Sequence, residues 1–273
     1  AASDVYKRQD VDNLGQTFVA GFAGKYATLS RTAALSRQLS IFFKYYIRSI
    51  LKNGEYHIDG EKKLTERNAT IVYSGGDDVF IVGAWNEVIE LSIDLQEKFK
   101  KYTQGTLSIS SGIGIYECTY PIGAIANETG EMEAESKRMP EKDSVTLMDD
   151  GETHLINELE ICDGTYRWEE LYKSVLGEKY DVIQDFLGES DERGMSFLYR
   201  MLELIRNQKE KINFARFVYL LSRLEPDKEG EKKEKYRKFS RKMYQWVQSE
   251  KDCRELKTAI NLYAYMHREK GAH

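Results

Sequence analysis

The pattern of hydrophobic and polar positions changes character near residue 167 of the chain. Before it, runs of β-branched and aromatic residues alternate with stretches in which apolar residues recur every three or four positions. This order predicts an α+β domain of ferredoxin-like type, β-α-β-β-α-β-α-β, with an antiparallel hairpin at its centre. The elements predicted after the first strand are a helix over 14–52, strands over 69–73 and 79–82, a helix over 86–102, a strand over 107–116, a helix over 124–139 and a strand over 144–148.

After residue 167 the pattern is helical throughout. Residues 53–68, by contrast, are charged and contain two glycines, which indicates a loop or flexible excursion within the first part. The sequence therefore predicts two domains, an α+β domain over 1–166 and an all-α domain over 167–273. Five helices are predicted in the second domain, over 168–187, 196–207, 213–224, 231–249 and 253–269.

The first nine residues, AASDVYKRQ, do not fit this scheme. A buried first strand should be apolar, and these residues are too polar for one. We therefore expect the true first strand to be missing or replaced, and the chain to be a fragment of a longer protein.

An acidic turn lies between the two strands of the predicted hairpin, where residues 73–79 read YSGGDDV. Gly75 and Gly76 let the backbone turn tightly and approach a ligand closely. Asp77 and Asp78 place two like charges side by side, so each carboxylate must stay in water or bind a cation. Taken alone, such a turn is more often a solvated turn than a binding site.

A second acidic turn, Asp10-Val11-Asp12-Asn13, precedes the first predicted helix. Its carboxylate and amide oxygens are hard donors suited to Mg²⁺ or Mn²⁺, although Asp12 or Asn13 would serve equally well as the cap of that helix. Two carboxylate clusters at strand ends are what two-metal nucleotidyl transfer requires. The cations hold a triphosphate, lower the pKa of the attacking hydroxyl and neutralise the leaving pyrophosphate.

Taken in order, DVDNLG, YSGGDDVFIVG, SSGIGIY and YPIGAIANETGEMEAESKRMPEKDSVTL resemble the catalytic palm of the large subunit of type III-A CRISPR–Cas (Csm) effector complexes. The resemblance runs over nearly the whole chain from Asp10 onward. It implies a palm similar to GGDEF nucleotidyl cyclases, which makes cyclic oligoadenylate from ATP when target RNA is bound. It also implies partners, namely the other subunits of the effector complex, CRISPR RNA and target RNA.

On this interpretation, three aspartates are the catalytic and metal-binding residues, and six further residues contact the nucleotide. The aspartates are Asp10, Asp77 and Asp78. The nucleotide contacts are Ser74, Gly75, Gly76, Asp12, Asn13 and Lys137. Lys137 is included because the matching helix of GGDEF-type palms ends in a lysine that contacts phosphate. The acidic helix before it is equally typical of a solvated face with a basic end that complements the helix dipole.

The resemblance also implies that two parts of the family's subunit lie outside this chain. One is a first palm, which faces the second and shares ATP sites with it. The other is a His-Asp nuclease domain, because the four histidines of this chain are scattered and form neither an H-E-x-x-H motif nor an adjacent His-Asp pair. We therefore expect the isolated chain to be weakly active or inactive.

Charge and composition limit the kinds of partner and the cellular compartment that the sequence predicts. The net charge of −5 combines 17 basic and 26 acidic residues over 1–166 with 23 basic and 19 acidic residues over 167–273. This excludes a uniformly basic nucleic-acid binder, so any RNA contact is local or shared. Three distant cysteines give neither a disulfide framework nor a zinc pattern, and no apolar run has the length of a membrane span. These features favour the cytoplasm.

Two alternatives stay open. A GGDEF-like diguanylate cyclase would use the same acidic turns, but the GGDDV turn and the helical domain after it count against this reading. A non-catalytic scaffold of a ribonucleoprotein complex would have no use for three clustered carboxylates. The choice of nucleotide separates the two enzymes, and metal dependence separates both from the scaffold.

Overall fold

The computed structural model describes residues 3–22, 24–58, 60, 63–117, 119–149, 151–188, 192–206 and 211–270. The chain forms two compact units, Ala1–Glu169 and Glu170–His273. The predicted domain boundary between residues 166 and 167 stays a prediction. Within the described ranges no helix combines the length and the apolar character needed to cross a membrane. Cys162 and Cys253 are buried and form no disulfide within the described residues, and Cys118 lies outside those residues.

The first unit is built on a β-sheet. Its strands are β1 (Ser3–Val11), β2 (Ala69–Gly75), β3 (Asp78–Ala84), β4 (Ile109–Glu117), β5 (Ser144–Leu147), β6 (Thr153–Ile156), β7 (Leu159–Cys162) and β8 (Thr165–Arg167). Six of them form one sheet in the order β2-β3-β1-β4-β5-β8, and β6 pairs with β7 in a separate hairpin. Only β4 and β5 pair in parallel among these described strands.

The helices of the first unit are α1 (Leu14–Ala20), α2 (Leu29–Ile41), α3 (Ile47–Lys52), α4 (Trp85–Tyr102) and α5 (Ile122–Ser136). A π-helical segment, Phe42–Tyr46, joins α2 to α3. α4 packs against β1, β3 and β4, whereas α5 packs against β1, β4 and β5. The order of elements and the antiparallel central hairpin confirm the predicted ferredoxin-like α+β fold.

The expectation that the first residues are too polar to form the first strand is wrong. β1 lies inside the sheet and pairs with β3 along one side and with β4 along the other. Val5, Lys7, Gln9 and Val11 are all buried, and alternation along the strand puts them on one face. The strand forms because backbone hydrogen bonds to two neighbours do not depend on side-chain polarity.

The segment between α3 and β2 is a loop, as predicted, but its ends are anchored. Gly54 and Thr65 form an antiparallel bridge. The buried side chain of Arg67 pairs with two carboxylates of α4, Glu90 and Asp94, and its Nη2 lies 2.8 Å from Oδ2 of Asp94. The charge of this segment therefore serves in part to hold the loop against α4, where buried ions require a partner.

Gly112 of β4 lets α5 lie directly on the sheet. A Cβ atom at this position would lie 2.3 Å from the carbonyl oxygen of Thr129 and 2.6 Å from the backbone nitrogen of Glu133, both in α5. Backbone atoms of a packed helix cannot move aside as a flexible side chain can. The close backbone approach that this glycine indicates is therefore the contact between β4 and α5.

We expect Gly112→Ala to lower the free energy of unfolding by about 2–3 kcal/mol, because the added methyl group overpacks the interface between α5 and the sheet. Urea unfolding followed by circular dichroism measures the change. Gly123→Ala, near the start of α5, is the control, because no atom lies within 4 Å of a Cβ there. That variant should be unchanged or more stable by up to about 1 kcal/mol. Equal losses for both would show that Gly112 has no special packing role.

The second unit is helical, which confirms the predicted all-α region. The short helix α6 (Trp168–Glu170) spans the sequence boundary of the two units, and a π-helical segment over Leu171–Tyr180 follows it. The α-helices of the second unit are α7 (Asp181–Leu187), α8 (Glu192–Arg206), α9 (Lys211–Ser222), α10 (Glu231–Trp246) and α11 (Glu250–Lys270). α11 packs against this segment and against α7, α8 and α10. The buried ammonium of Lys179 lies 2.8 Å from a carboxylate oxygen of Asp252 and 2.5 Å from one of Glu255.

Candidate active site

The acidic hairpin turn is short and depends on a glycine. The two-residue loop Gly76-Asp77 joins β2 to β3, and Gly75 pairs with Asp78 across the hairpin. Gly76 has a φ of 64°, in the left-handed region that residues with a Cβ rarely adopt. A positive φ at the first loop position alone is typical of the type II′ hairpin turn, which prefers glycine there. Gly76 therefore sets the turn that holds Asp77 and Asp78 at the hairpin tip.

Asp10 lies beside this turn because β1 is the neighbour of β3. The register pairs Gln9 with Val79, so the next residue of β1 reaches the level of the turn. Burial raises the pKa of Asp77, and the charge of Asp10 raises it further. Burial also raises the pKa of Asp78; Arg8 opposes this increase, while Asp10 and Asp77 add to it. The three predicted catalytic aspartates thus form one electrostatic cluster.

Two cations partly neutralise the cluster. Lys137, which directly follows α5, donates to Asp10, and its Nζ lies 2.7 Å from Oε1 of Glu133. Arg8 lies with Nη2 3.7 Å from Oδ2 of Asp78 and with Nε 3.1 Å from Oε2 of Glu133. Burial lowers the pKa of Lys137, but its hydrogen bonds with Asp10 and Glu133 outweigh burial, so this pKa is raised. Lys137 therefore stays charged beside the carboxylates.

Sequence reasoning missed Glu133 as a member of this group. The acidic helix is typical of a solvated face, yet Glu133 is only 7% exposed, whereas Glu131 of the same helix is exposed. The available signal was the spacing of four residues between Glu133 and Lys137, which places both on one side of a helix.

Asp12, a predicted nucleotide contact, has hydrogen-bond partners outside the cluster. In a continuing strand Asp12 would point to the same face as Asp10, but β1 ends at Val11, so this alternation does not extend to Asp12. Its backbone N–H instead donates to the carbonyl of Ser108. Its Oδ2 accepts hydrogen bonds from the hydroxyl of Ser108 at 2.7 Å and from the backbone N–H of Asp143 at 3.2 Å. Asp12 thus ties the start of β4 to the turn before β5.

Two other predicted nucleotide contacts already have protein partners. Asn13 precedes α1 without a side-chain capping bond, and its Oδ1 accepts a hydrogen bond from Nζ of Lys142 at 2.7 Å. The hydroxyl of Ser74 donates to the backbone carbonyl of Phe43. The structure brings Gly75, Gly76 and Lys137 to the aspartates. The roles of all six residues as nucleotide contacts stay predictions.

Two carboxylate oxygens of the cluster are of the chemical type that a hard divalent cation binds. Oδ1 of Asp10 and Oδ1 of Asp78 are buried without a hydrogen-bond partner. Carboxylate oxygens are preferred ligands of Mg²⁺, and a cation beside them would oppose the burial and the mutual repulsion that raise the pKa values of Asp77 and Asp78. In the part of the chain that the structure describes, no three His, Cys, Asp or Glu side chains are grouped to hold an ion. Lys137 and Arg8 are the cations beside these carboxylates instead.

The raised pKa values of Asp77 and Asp78 predict a pH-dependent affinity for Mn²⁺. Protons and metal ions compete for the same oxygens, so we expect binding to weaken as the pH is lowered from neutral through the range in which these carboxyls take up protons. In the absence of metal, lowering the pH should increase the stability of the folded chain. The raised pKa values mean that the folded chain binds protons at these carboxyls more tightly than the unfolded chain does. Titration followed by Mn²⁺ electron paramagnetic resonance measures the affinity. A constant affinity over this range would contradict the prediction.

Comparisons with known proteins agree with this geometry. Residues 7–146 match the family description "Cas10/Cmr2, second palm domain", and residues 184–269 match "CRISPR RNA silencing complex Cmr2 subunit, second helical domain". The CRISPR system single-strand-specific deoxyribonuclease Cas10/Csm1 (subtype III-A) of Mycobacterium tuberculosis (strain ATCC 25618 / H37Rv) is 42% identical over 268 residues. That alignment covers 96% of this chain and 31% of the relative.

Solved structures of Csm1–Csm4 cassettes resemble the chain as well. The cassette in complex with pppApApA has a TM-score of 0.69 and 25% identity, covering 96% of this chain and 37% of that chain. The cassette in complex with AMPPNP has a TM-score of 0.64 and 25% identity, covering 94% and 36%. This chain spans about a third of the length of these relatives. With its palm and helical regions both matched, the chain belongs to the Cas10/Cmr2 family of CRISPR proteins.

Proposed function

We propose that this chain is the metal-dependent nucleotidyltransferase palm of a type III-A effector subunit and that it joins ATP into cyclic oligoadenylate, for antiviral defence, when target RNA binds the complex. One observation carries this proposal, namely the convergence of Asp10, Asp77, Asp78 and Lys137 at one end of the palm sheet. Relatives give independent support, since Csm1–Csm4 cassettes have been solved with pppApApA and with AMPPNP.

The aspartates, the turn glycine and the lysine have different proposed roles in the reaction. Asp10, Asp77 and Asp78 would hold Mg²⁺ or Mn²⁺, and the bound cations supply the positive charge that lowers the pKa of the attacking hydroxyl. Gly76 keeps the turn free of a side chain, which lets the nucleotide approach the backbone. The ammonium of Lys137 neutralises phosphate charge that builds up as pyrophosphate leaves.

The reaction is a displacement at phosphorus. The 3′-hydroxyl oxygen of one ATP forms a bond to the α-phosphorus of a second ATP, and its proton passes to solvent. The bond between that phosphorus and the bridging oxygen breaks, and pyrophosphate leaves with the electron pair. The same step within a linear oligoadenylate closes the ring. No dedicated protein base is needed where the hydroxyl is already acidified.

We place this activity in the cytoplasm and in the context of the complex. The relatives are about three times longer than this chain, and solved relatives pair Csm1 with Csm4. The proposed partners are therefore the remaining part of the large subunit, the other subunits of the effector complex, CRISPR RNA and target RNA. The deoxyribonuclease activity in the name of the relatives belongs to those whole proteins and is not proposed for this chain.

The test is the nucleotide chemistry of the complete effector complex whose large subunit contains this chain. With ATP and Mn²⁺, we expect cyclic oligoadenylate only when target RNA is present. A dimeric cyclic product from GTP, with none from ATP, would assign the chain to the diguanylate cyclases. No product from any nucleotide, together with no Mn²⁺-dependent nucleotide binding, would leave the scaffold role.

A further inference from the structure

We propose that Glu133 is a positioning residue that holds Lys137 beside the cation site and keeps the lysine from blocking Asp10. This inference rests on the proposed function, because it concerns how a cation gains access to the carboxylates. Glu133 is buried on α5, four residues before Lys137, and its Oε1 lies 2.7 Å from the lysine Nζ. Neither residue of this pair belongs to the hairpin that carries Asp77 and Asp78.

Lys137 bridges two carboxylates, and only one of them belongs to the proposed cation site. Its ammonium donates to Asp10 on β1 and to Glu133 on α5. A divalent cation that binds Asp10 must displace the ammonium from that carboxylate, since like charges repel at short distance. Because Glu133 remains as a partner, Lys137 loses one charge-assisted hydrogen bond rather than both.

Contacts with the sheet fix the position of Glu133. Close contact between α5 and Gly112 of β4 brings the backbone of Glu133 onto the sheet. The second oxygen of Glu133, Oε2, lies 3.1 Å from Nε of Arg8 on β1. Glu133 is thus fixed from two sides, and a fixed carboxylate can hold the ammonium of Lys137 in place when Asp10 is taken by a cation.

A double-mutant cycle on Mn²⁺ affinity tests this role in the whole 273-residue chain. We expect Glu133→Gln to weaken Mn²⁺ binding about tenfold when Lys137 is present, because the lysine then depends on Asp10 alone. In the Lys137→Met background, the same change should weaken binding less than about threefold, since no ammonium competes for Asp10. Glu133→Asp, which keeps the charge, should restore part of the affinity in the Lys137 background.

Two controls separate this inference from the proposed function. Glu131→Gln removes one charge from an exposed position of the same helix and should leave the affinity unchanged. Asp77→Ala/Asp78→Ala should abolish binding; if it does not, the proposed metal site is wrong. If that pair abolishes binding while Glu133→Gln has the same effect in both Lys137 backgrounds, Glu133 acts as a distant charge and only the positioning role is overturned.

Discussion

Replacing Asp77 and Asp78 together by asparagine should reduce the formation of cyclic oligoadenylate by at least about a thousandfold, because the developing phosphate charge then lacks its cations. Asparagine has nearly the same shape but no charge, so the hairpin should keep its geometry. Gly76, which sets the turn through its positive φ, is untouched. The measurement is product formation from ATP and Mn²⁺ by the complete complex with target RNA.

Loss of activity must be separated from loss of folding. Burial and, after it, the neighbouring carboxylates raise the pKa values of Asp77 and Asp78, so both charges are unfavourable in the folded chain. The double variant should therefore be at least as stable as the unchanged chain at neutral pH. Asp227→Asn, at an exposed position of the helical unit, is the matched control and should keep full activity. Product formation within a few-fold of normal by the double variant would contradict the assignment of Asp77 and Asp78.

The hairpin was predictable because its signals are local. Two strand-like runs flank a Gly-Gly-Asp-Asp turn, and the need for glycine at position 76 follows from the turn type alone. The clustering with Asp10 depends on the strand order, which the ferredoxin-like pattern implies but the sequence does not spell out. Lys137 was reached only through the resemblance, since nothing in its own neighbourhood distinguishes it from the basic end of an ordinary helix.

Asp12 and Glu133 are two carboxylates whose contacts could not be predicted from the sequence. Both carry carboxylates in acidic stretches, so composition alone treats them alike. Hydrogen bonds from Ser108 and Asp143 link the carboxylate of Asp12 to the start of β4 and to the turn before β5. Packing of α5 against β4 buries Glu133, and its carboxylate pairs with Lys137. Each outcome depends on a tertiary neighbour more than 20 residues away or on the packing of a whole helix, and neither is visible in local spacing.

The polar residues of β1 led to the wrong expectation that this segment could not be a buried strand. One of them, Lys7, should also lower the stability of the folded chain. Lys7 is completely buried in the middle of the sheet, and its Nζ finds no hydrogen-bond acceptor among the described residues. The ring of Trp168, 5.7 Å from Nζ, is the aromatic group that faces it. Burial holds the pKa of Lys7 well below its usual range. A lysine in this position therefore costs stability that an apolar residue would not.

Lys7→Met should raise the free energy of unfolding by about 3 kcal/mol or more at neutral pH, the scale of an uncompensated buried charge. Methionine matches the length and flexibility of the lysine chain, so it fills the same space without the ammonium. Urea unfolding gives the difference, and Lys44→Met, at an exposed position, is the control that should change stability by less than about 0.5 kcal/mol.

The pH dependence makes this test specific to the buried amino group of Lys7. Because the folded pKa of Lys7 lies below the unfolded one, folding releases a proton, and the stability of the unchanged chain should increase as the pH rises toward the ordinary lysine pKa. Lys7→Met removes that increase, so the two stability curves should converge at alkaline pH. Parallel curves would mean that Lys7 is not the source of the penalty, and a less stable Lys7→Met variant would mean that its ammonium has found a partner.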